Sequence, residues 1–203
     1  ARSLLMKGQL SLGALAIGIA IGATALAAAC DCSIMRASNW LGPLDAAMVA
    51  FKIDTAERAA AFLAQIAHES GRLQYVRELW GPTQAQSRYE GRRDLGNTHP
   101  GDGYRYRGRG LIQTTGRTNY GRTRDGLRLA GVPDVPDFVE QPEALEVPKW
   151  AAMSAGWYWK SHGCNELADV ENFDGITRAI NGGLNGQPDR LALWERAKRA
   201  LNA

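Results

Sequence analysis

The chain has 203 residues, a formal net charge of +3, 45% apolar residues and 22% charged ones. That length can bury a sizeable core, which excludes a disulfide-stapled miniprotein, and the apolar share excludes a disordered tail. The average conceals a split: residues 1–30 hold 20 apolar residues and two charges, Arg2 and Lys7, while the remainder carries 43 charges and a net of only +1.

Gly8 to Cys30 is a run of 23 residues without a charge. As a helix it would reach about 34 Å, enough to cross the hydrocarbon core of a bilayer. Its quality is poor, since twelve of the 23 are Gly or Ala and only seven are Leu or Ile. Arg2 and Lys7 before it and Asp31 after it orient the N-terminus to the cytoplasm and the rest outside. Residues 1–32 are therefore expected to form an N-terminal segment whose hydrophobic helix, residues 8–30, meets the inner membrane. Three fates stay open. The segment could be a permanent anchor packing through Gly13, Gly18 and Gly22. It could be a leader cleaved at Ala27-Ala28-Ala29 or lipidated at Cys30. Or it could be an anchor weak enough to leave the bilayer. Cys30, Cys32 and Cys164 are too few and too irregular for a metal site, and no metal or cofactor is expected. On the outer side Cys30 or Cys32 could bridge to Cys164, with a buried free Cys164 as the alternative.

Beyond the segment, periodicity predicts helix almost everywhere. Asp54 followed by Glu57 reads as a capping box opening a helix through Ser70, with Ala59, Phe62, Leu63, Ile66 and Ala67 as its buried stripe. Gly71 stops it. A second helix starts at Pro148 and runs through Trp150, Trp157 and Tyr158 to Gly163. A third follows Pro188, with Leu191, Trp194 and Leu201 on one face. Tyr104–Thr115 could form a small hairpin, and no larger sheet is expected. The reading is one mainly α domain over residues 39–203.

Residues 88–124 carry nine Arg against Glu90, Asp94 and Asp102, with enough Gly to make a polar, loop-forming surface. The domain's near-neutral remainder and the lack of a docking helix argue against nucleic acid. An anionic polymer cleft fits better. Gly108-Arg109-Gly110 lacks the third glycine and preceding strand of a dinucleotide fingerprint.

The chemistry centres on His68-Glu69-Ser70-Gly71, at the end of the capped helix. Glu69 borders the apolar stripe, so desolvation and the helix C-terminus should both keep a proton on it, as a general acid requires. Glu78 follows nine residues later. On one continuous helix the two would face apart, but Gly71 lets the chain turn back so that both line one cleft. Glu90 is the rival second carboxylate, flanked by Arg88, Arg92 and Arg93, which suit it to a structural ion pair.

Three ordered motifs carry a resemblance: His68-Glu69-Ser70-Gly71, then Tyr106-Arg107-Gly108-Arg109-Gly110-Leu111-Ile112-Gln113-Thr114-Thr115, then Ile180-Asn181-Gly182-Gly183-Leu184-Asn185-Gly186. Together they resemble glycoside hydrolase family 19, and in particular its phage-type endolysins, over residues 39–203. The resemblance implies a lysozyme-like, chitinase-like α-rich fold that cleaves β-1,4-linked N-acetylhexosamine polymers with inversion, in this branch usually peptidoglycan. It implies Glu69 as general acid, Glu78 as general base and Thr115 as the hydroxyl holding the attacking water. Gln113, Asn119 and Asn181 become sugar-binding residues, and Arg190 a supporting charge. Plant chitinases of the family space their carboxylates closer to the Glu69–Glu90 interval, which keeps Glu90 in contention as the base. Inversion implies carboxyl groups roughly 6.5–9.5 Å apart.

A wall hydrolase behind a weak anchor resembles the signal-anchor-release endolysins of bacteriophages. That implies export to the inner membrane facing the periplasm, then release into the periplasm, with the enzyme acting as a monomer on peptidoglycan strands. The alternatives are a secreted chitinase with a cleaved signal and a non-catalytic, membrane-tethered wall-binding protein.

Overall fold

The computed structural model describes residues 20–203. Residues 8–19 of the expected membrane helix lie outside the described residues. Ten α-helices are described: α1 (Ala23–Cys30), α2 (Ile34–Ala50), α3 (Ala56–Glu69), α4 (Gln84–Ser87), α5 (Asp102–Arg105), α6 (Arg117–Leu129), α7 (Pro148–Ser161), α8 (Cys164–Asp169), α9 (Phe173–Asn181) and α10 (Gln187–Leu201). Short 3-10 turns occupy Arg93–Leu95 and Pro142–Glu146.

The centre of the molecule is α3. Every residue from Ala59 to Ala67 is buried, because the sequence AAAFLAQIA offers small or apolar side chains on all faces. Its cap is Thr55, whose hydroxyl accepts from the Arg58 amide at 3.2 Å. The expected cap, Asp54, instead takes the Arg58 guanidinium at 2.9 Å, since a carboxylate four residues before an arginine meets it on the helix surface. Around α3 lie α10, α8 and α1; α2 packs on α7, and α6 covers α7. Phe62 of α3 meets Trp159 of α7 edge-on at 5.4 Å.

Three expectations are corrected. First, the domain begins before residue 39, because α1 packs against α10, α2 and α3 with Leu26, Ala27, Ala29 and Cys30 buried. The end of the run expected in the bilayer is thus core-forming protein, and among the described residues no helix is long and apolar enough to cross a membrane. Second, Tyr104–Thr115 is not a hairpin. Its start belongs to α5, and only the isolated bridge between Arg109 and Thr114 remains. Asp102 ties the segment into a turn by accepting from the amides of Thr98 and His99, both at 3.1 Å. Third, α10 buries Arg190, Leu193 and Ala197 and leaves Leu191 exposed. A charged network, described below, decides that face.

Cys30, Cys32 and Cys164 are free thiols, so the candidate disulfide is not formed in this structure. Burial pushes the Cys164 thiol up to about 12 and raises Cys30 further, which keeps both protonated near neutrality.

Candidate active site

Glu69 ends α3. Ser70 closes the helix by donating its hydroxyl to the Ile66 carbonyl and accepting the Leu73 amide at 2.9 Å. Gly71, Arg72 and Leu73 then all adopt positive φ, and a side chain on Gly71 would strike the Tyr75 ring at 2.9 Å. This sharp reversal sends the chain back along residues 108–110. The Glu78 amide donates to the Gly108 carbonyl at 2.8 Å, and the Gly110 amide to that of Val76 at 2.9 Å. The turn expected at Gly71 thus exists, and it leads the chain to the stretch where Glu78 is held against Gly108.

The two carboxylates are held in different ways. Glu69, one-fifth exposed, accepts from Nη2 of Arg190 through Oε1 at 2.5 Å, and its Oε2 has no partner among the described residues. Arg190 is 2% exposed and also donates to Oε1 of Gln65 at 2.5 Å and to the Asn185 carbonyl at 3.1 Å. Gln65 donates onward to Thr177 at 2.8 Å. A polar chain buried between α9, α3 and α10 therefore ends on Glu69. The expected apolar setting is corrected: Phe62 and Ile66 face the core, and the Glu69 carboxylate meets a guanidinium instead.

Alongside, His68 Nδ1 lies 2.6 Å from Asp189, which Arg72 grips at 2.5 and 2.9 Å. The Arg72 hydrogen bonds, aided by His68, hold the Asp189 carboxyl down to about 2 despite partial burial. These contacts fasten the end of α3 to the start of α10.

Glu78 is gripped by three donors. Oε1 accepts from Gln86 Nε2 at 3.0 Å and from the Tyr89 hydroxyl at 3.4 Å, and Oε2 accepts from the Gly108 amide at 3.1 Å. Burial and the Glu78 charge raise the Tyr89 pKa, so the phenol stays a donor. Gln86 and Tyr89 were not singled out from sequence. The Thr83-x-x-Gln86 capping box was a readable signal for α4, but nothing local points Gln86 at Glu78.

A cavity of about 340 Å³ is lined by Gln113, Thr115, Asn119, Tyr158 and Ile180, among others. Thr115 donates to the Gln113 carbonyl at 2.9 Å, and Asn119 donates to the Thr115 carbonyl at 2.8 Å, so three expected residues form one braced wall. Gln113 links this wall to Glu78: a Cβ on Gly108 would lie 2.8 Å from Gln113 Oε1 and 3.4 Å from the Glu78 side chain. Tyr158, also on this wall, donates its hydroxyl to the Ala179 carbonyl at 3.2 Å, and burial, then the Cys164 and Glu69 charges, raise the phenol's pKa. Asn181 does not line this cavity, although its neighbour Ile180 does. Its Nδ2 is buried without an acceptor among the described residues.

The Arg-rich segment is less of a charged wall than expected. Arg109 pairs with Glu146 at 2.7 Å, Arg117 with Asp102 at 2.7 Å and Arg124 with Asp125 and Asp137 at 2.8 Å each. Arg92 pairs with Asp94. Glu90 is a brace rather than an ion-pair partner, accepting the amides of Gly101 and Gly103 at 2.7 and 2.8 Å.

No protein-family model matches the sequence. A Haemophilus influenzae protein described as a glycosyl hydrolase family 19 domain-containing protein is 35% identical, over 66% of this chain and 76% of that relative. An Arabidopsis thaliana endochitinase is 36% identical over 66% of this chain but 43% of its own length, so the chain spans less than half of that plant enzyme. Chitinase C from Streptomyces griseus HUT6037 superposes with a TM-score of 0.67 at 22% identity, covering 94% of this chain and 78% of that one. A bacterial family 19 chitinase gives 0.60 at 27% identity, over 80% and 86%. The relative covered over three quarters of its length, together with this shared fold, makes the chain a member of glycosyl hydrolase family 19 and a glycoside hydrolase.

Proposed function

We propose that the protein is a bacteriophage endolysin that hydrolyses β-1,4 glycosidic bonds of peptidoglycan with inversion, acting as a monomer. The observation that carries the catalytic assignment is the contrast between the two carboxylates. Glu69 is anchored through one oxygen, leaving Oε2 to address the glycosidic oxygen, while Glu78 is fixed by three donors beside the Gln113–Thr115 wall. In the forward reaction the carboxyl proton of Glu69 passes to the leaving oxygen as the bond to the anomeric carbon breaks. Water attacks that carbon from the opposite face and gives its proton to Glu78, and Thr115 helps to hold the water. Gln113, Asn119 and Asn181 bind sugar groups.

Glu69→Gln is expected to abolish lysis and leave the fold intact; near-normal activity would sink the assignment. Glu78→Gln and Glu90→Gln measured in parallel decide the base. If only the latter is inactive, Glu90 is the base. Product anomers read by NMR test inversion.

Residues 8–30 act as a releasable membrane anchor in this reading. Its support is the Gly/Ala-rich composition, which lowers the cost of leaving lipid, and the burial of Leu26, Ala29 and Cys30 in the fold. The same residues cannot sit in a bilayer and in the core at once, so a tethered enzyme lacks α1 and the support α1 gives to α10. Fractionation before and after ionophore treatment is the test. Enzyme still wholly in the membrane afterwards refutes release, and a shortened chain establishes cleavage.

A second reading, a chitinase, is favoured by the printed descriptions of the plant relatives and of the solved neighbours. Separate incubation with peptidoglycan and chitin oligomers separates the two.

A further inference from the structure

Among the described residues, Arg107 is a nearly buried cation, 7% exposed, that makes no ion pair. One nitrogen donates to the Tyr104 carbonyl at 2.9 Å, and Nε and Nη2 have no acceptor among the described residues. Its guanidinium carbon lies 4.0 Å from the centre of the Tyr104 ring. Glu146, whose charge acts on Arg107, is already shared by Arg109 at 2.7 Å and Arg77 at 3.3 Å. Two guanidiniums thus already divide that carboxylate, and Arg107 has no ion-pair partner of its own among the described residues. Burial, with the Arg109 and Arg77 charges, lowers the Arg107 pKa, the signature of a cation short of counter-charge.

The surroundings say what could supply that charge. Arg77 precedes Glu78 and Arg107 precedes Gly108, and Glu78 and Gly108 are hydrogen-bonded to each other through both backbone and side chain. The two arginines are therefore held on the same paired backbone that positions Glu78. From Glu78 a row of aromatic rings leads the same way: Tyr89 touches Glu78, Trp80 lies 6.2 Å from Tyr89, and the half-exposed Tyr104 meets Trp80 edge-on at 5.3 Å. Rings of this kind suit the apolar faces of sugars, and Arg107 stands at the end of the row.

We propose that Arg107, assisted by Arg77, is a carboxylate-binding subsite of the cleft, which takes an acidic substituent of the glycan two or more atoms off the sugar ring. This rests on the peptidoglycan reading. A chitin chain is neutral, whereas every second sugar of peptidoglycan bears a lactyl group, either free as a carboxylate or extended by a peptide with carboxylates of its own. Arginine binds a carboxylate through paired donors, and a partly desolvated site strengthens the contact. The subsite thereby selects an acidic polymer over a neutral one.

The test uses the full chain with Arg107→Gln, Arg107→Lys and Arg77→Gln, on three substrates: peptidoglycan with its stem peptides, glycan strands stripped of peptides, and chitin oligomers. For Arg107→Gln the ratio of kcat/KM on acidic strands to that on chitin is expected to fall about tenfold, mostly through KM, with a shallower salt dependence. Arg107→Lys keeps the charge and should retain the salt dependence. A loss confined to peptide-bearing strands places the bound carboxylate on the stem, and a loss on both acidic substrates places it on the lactyl group; either supports the subsite. An unchanged ratio overturns it. Should Arg107→Gln fail to fold, Arg77→Gln, whose side chain is 51% exposed, carries the measurement with an expected threefold fall. If the wild type cuts chitin alone, the peptidoglycan reading fails by itself. Calorimetric binding of an acidic muropeptide to Glu69→Gln protein then decides the subsite: dependence on Arg107 supports it, and independence overturns it.

Discussion

Replacing Arg190 by Met should be among the costliest single changes in the domain. The side chain is 2% exposed and supplies Glu69, Gln65 and the Asn185 carbonyl with donors. Removing one member of a buried ion pair costs roughly 3–5 kcal/mol, and the one-fifth exposure of Glu69 places this pair at the lower end, near 3. Gln65 Oε1 then loses its donor inside the core, adding about 1–2 kcal/mol. A total of about 4–5 kcal/mol corresponds to a fall in Tm of roughly 8–20 °C for a domain of this size. Glu69→Gln alone should cost about 1–2 kcal/mol, since an amide oxygen still accepts from Arg190. The double variant strands no charge, so it should be about 2 kcal/mol more stable than the two single losses summed. Urea denaturation of the four proteins measures the cycle. Additivity within about 0.3 kcal/mol would refute the coupling, and with it the claim that Arg190 positions the acid.

Three further outcomes are expected. Gly108→Ala forces Gln113 or Glu78 to move, because its Cβ would lie 2.8 Å from the Gln113 amide oxygen. Activity should drop more than about tenfold while Tm falls only a few degrees, and full activity contradicts the packing of Glu78 against that wall. Leu26→Ala in α1 should destabilise by about 2–5 kcal/mol, as for a fully buried leucine; a loss below about 1 kcal/mol in urea denaturation means that α1 is not part of the core. The depressed Asp189 carboxyl contributes stability that is complete above its ordinary value of 3.8 and is lost as pH falls through about 2. Asp189→Asn should therefore flatten the acid limb of the stability–pH curve in that window, and an unaltered limb excludes the Arg72–Asp189–His68 contacts as its cause.

Some local chemistry was readable from near neighbours, although the cap fell on Thr55 rather than Asp54 and the hairpin expected at Tyr104–Thr115 is a turn and a short helix. The stripe of α3, the stop at Gly71 and the first turn at Pro148 follow from spacing and backbone preference, and all three stand. The larger failures depended on distant partners. An Ala-rich, Leu-containing run satisfies a bilayer and a protein core equally, and only α10, α2 and α3 distinguish them for α1. The arginines of residues 88–124 looked like free charge because Glu146 and Asp137, which neutralise Arg109 and Arg124, come later in the chain. Arg190 turned inward where Leu191 was expected to, since satisfying Glu69 and Gln65 outweighs burying one more leucine. At the site, Gln113, Thr115 and Asn119 line one cavity, whereas Tyr158, Tyr89 and Gln86 emerged only from geometry.

The contact between α1 and α10 also sets a clock. These helices are neighbours in space but lie roughly 160 residues apart in the sequence, which at 5–20 residues per second takes about 10–30 s to synthesise. Throughout that interval Leu26 and its neighbours have no α10 to cover them. Until α10 is made, that apolar stretch is free to meet other surfaces, and only the contact with α10 completes its burial in the fold.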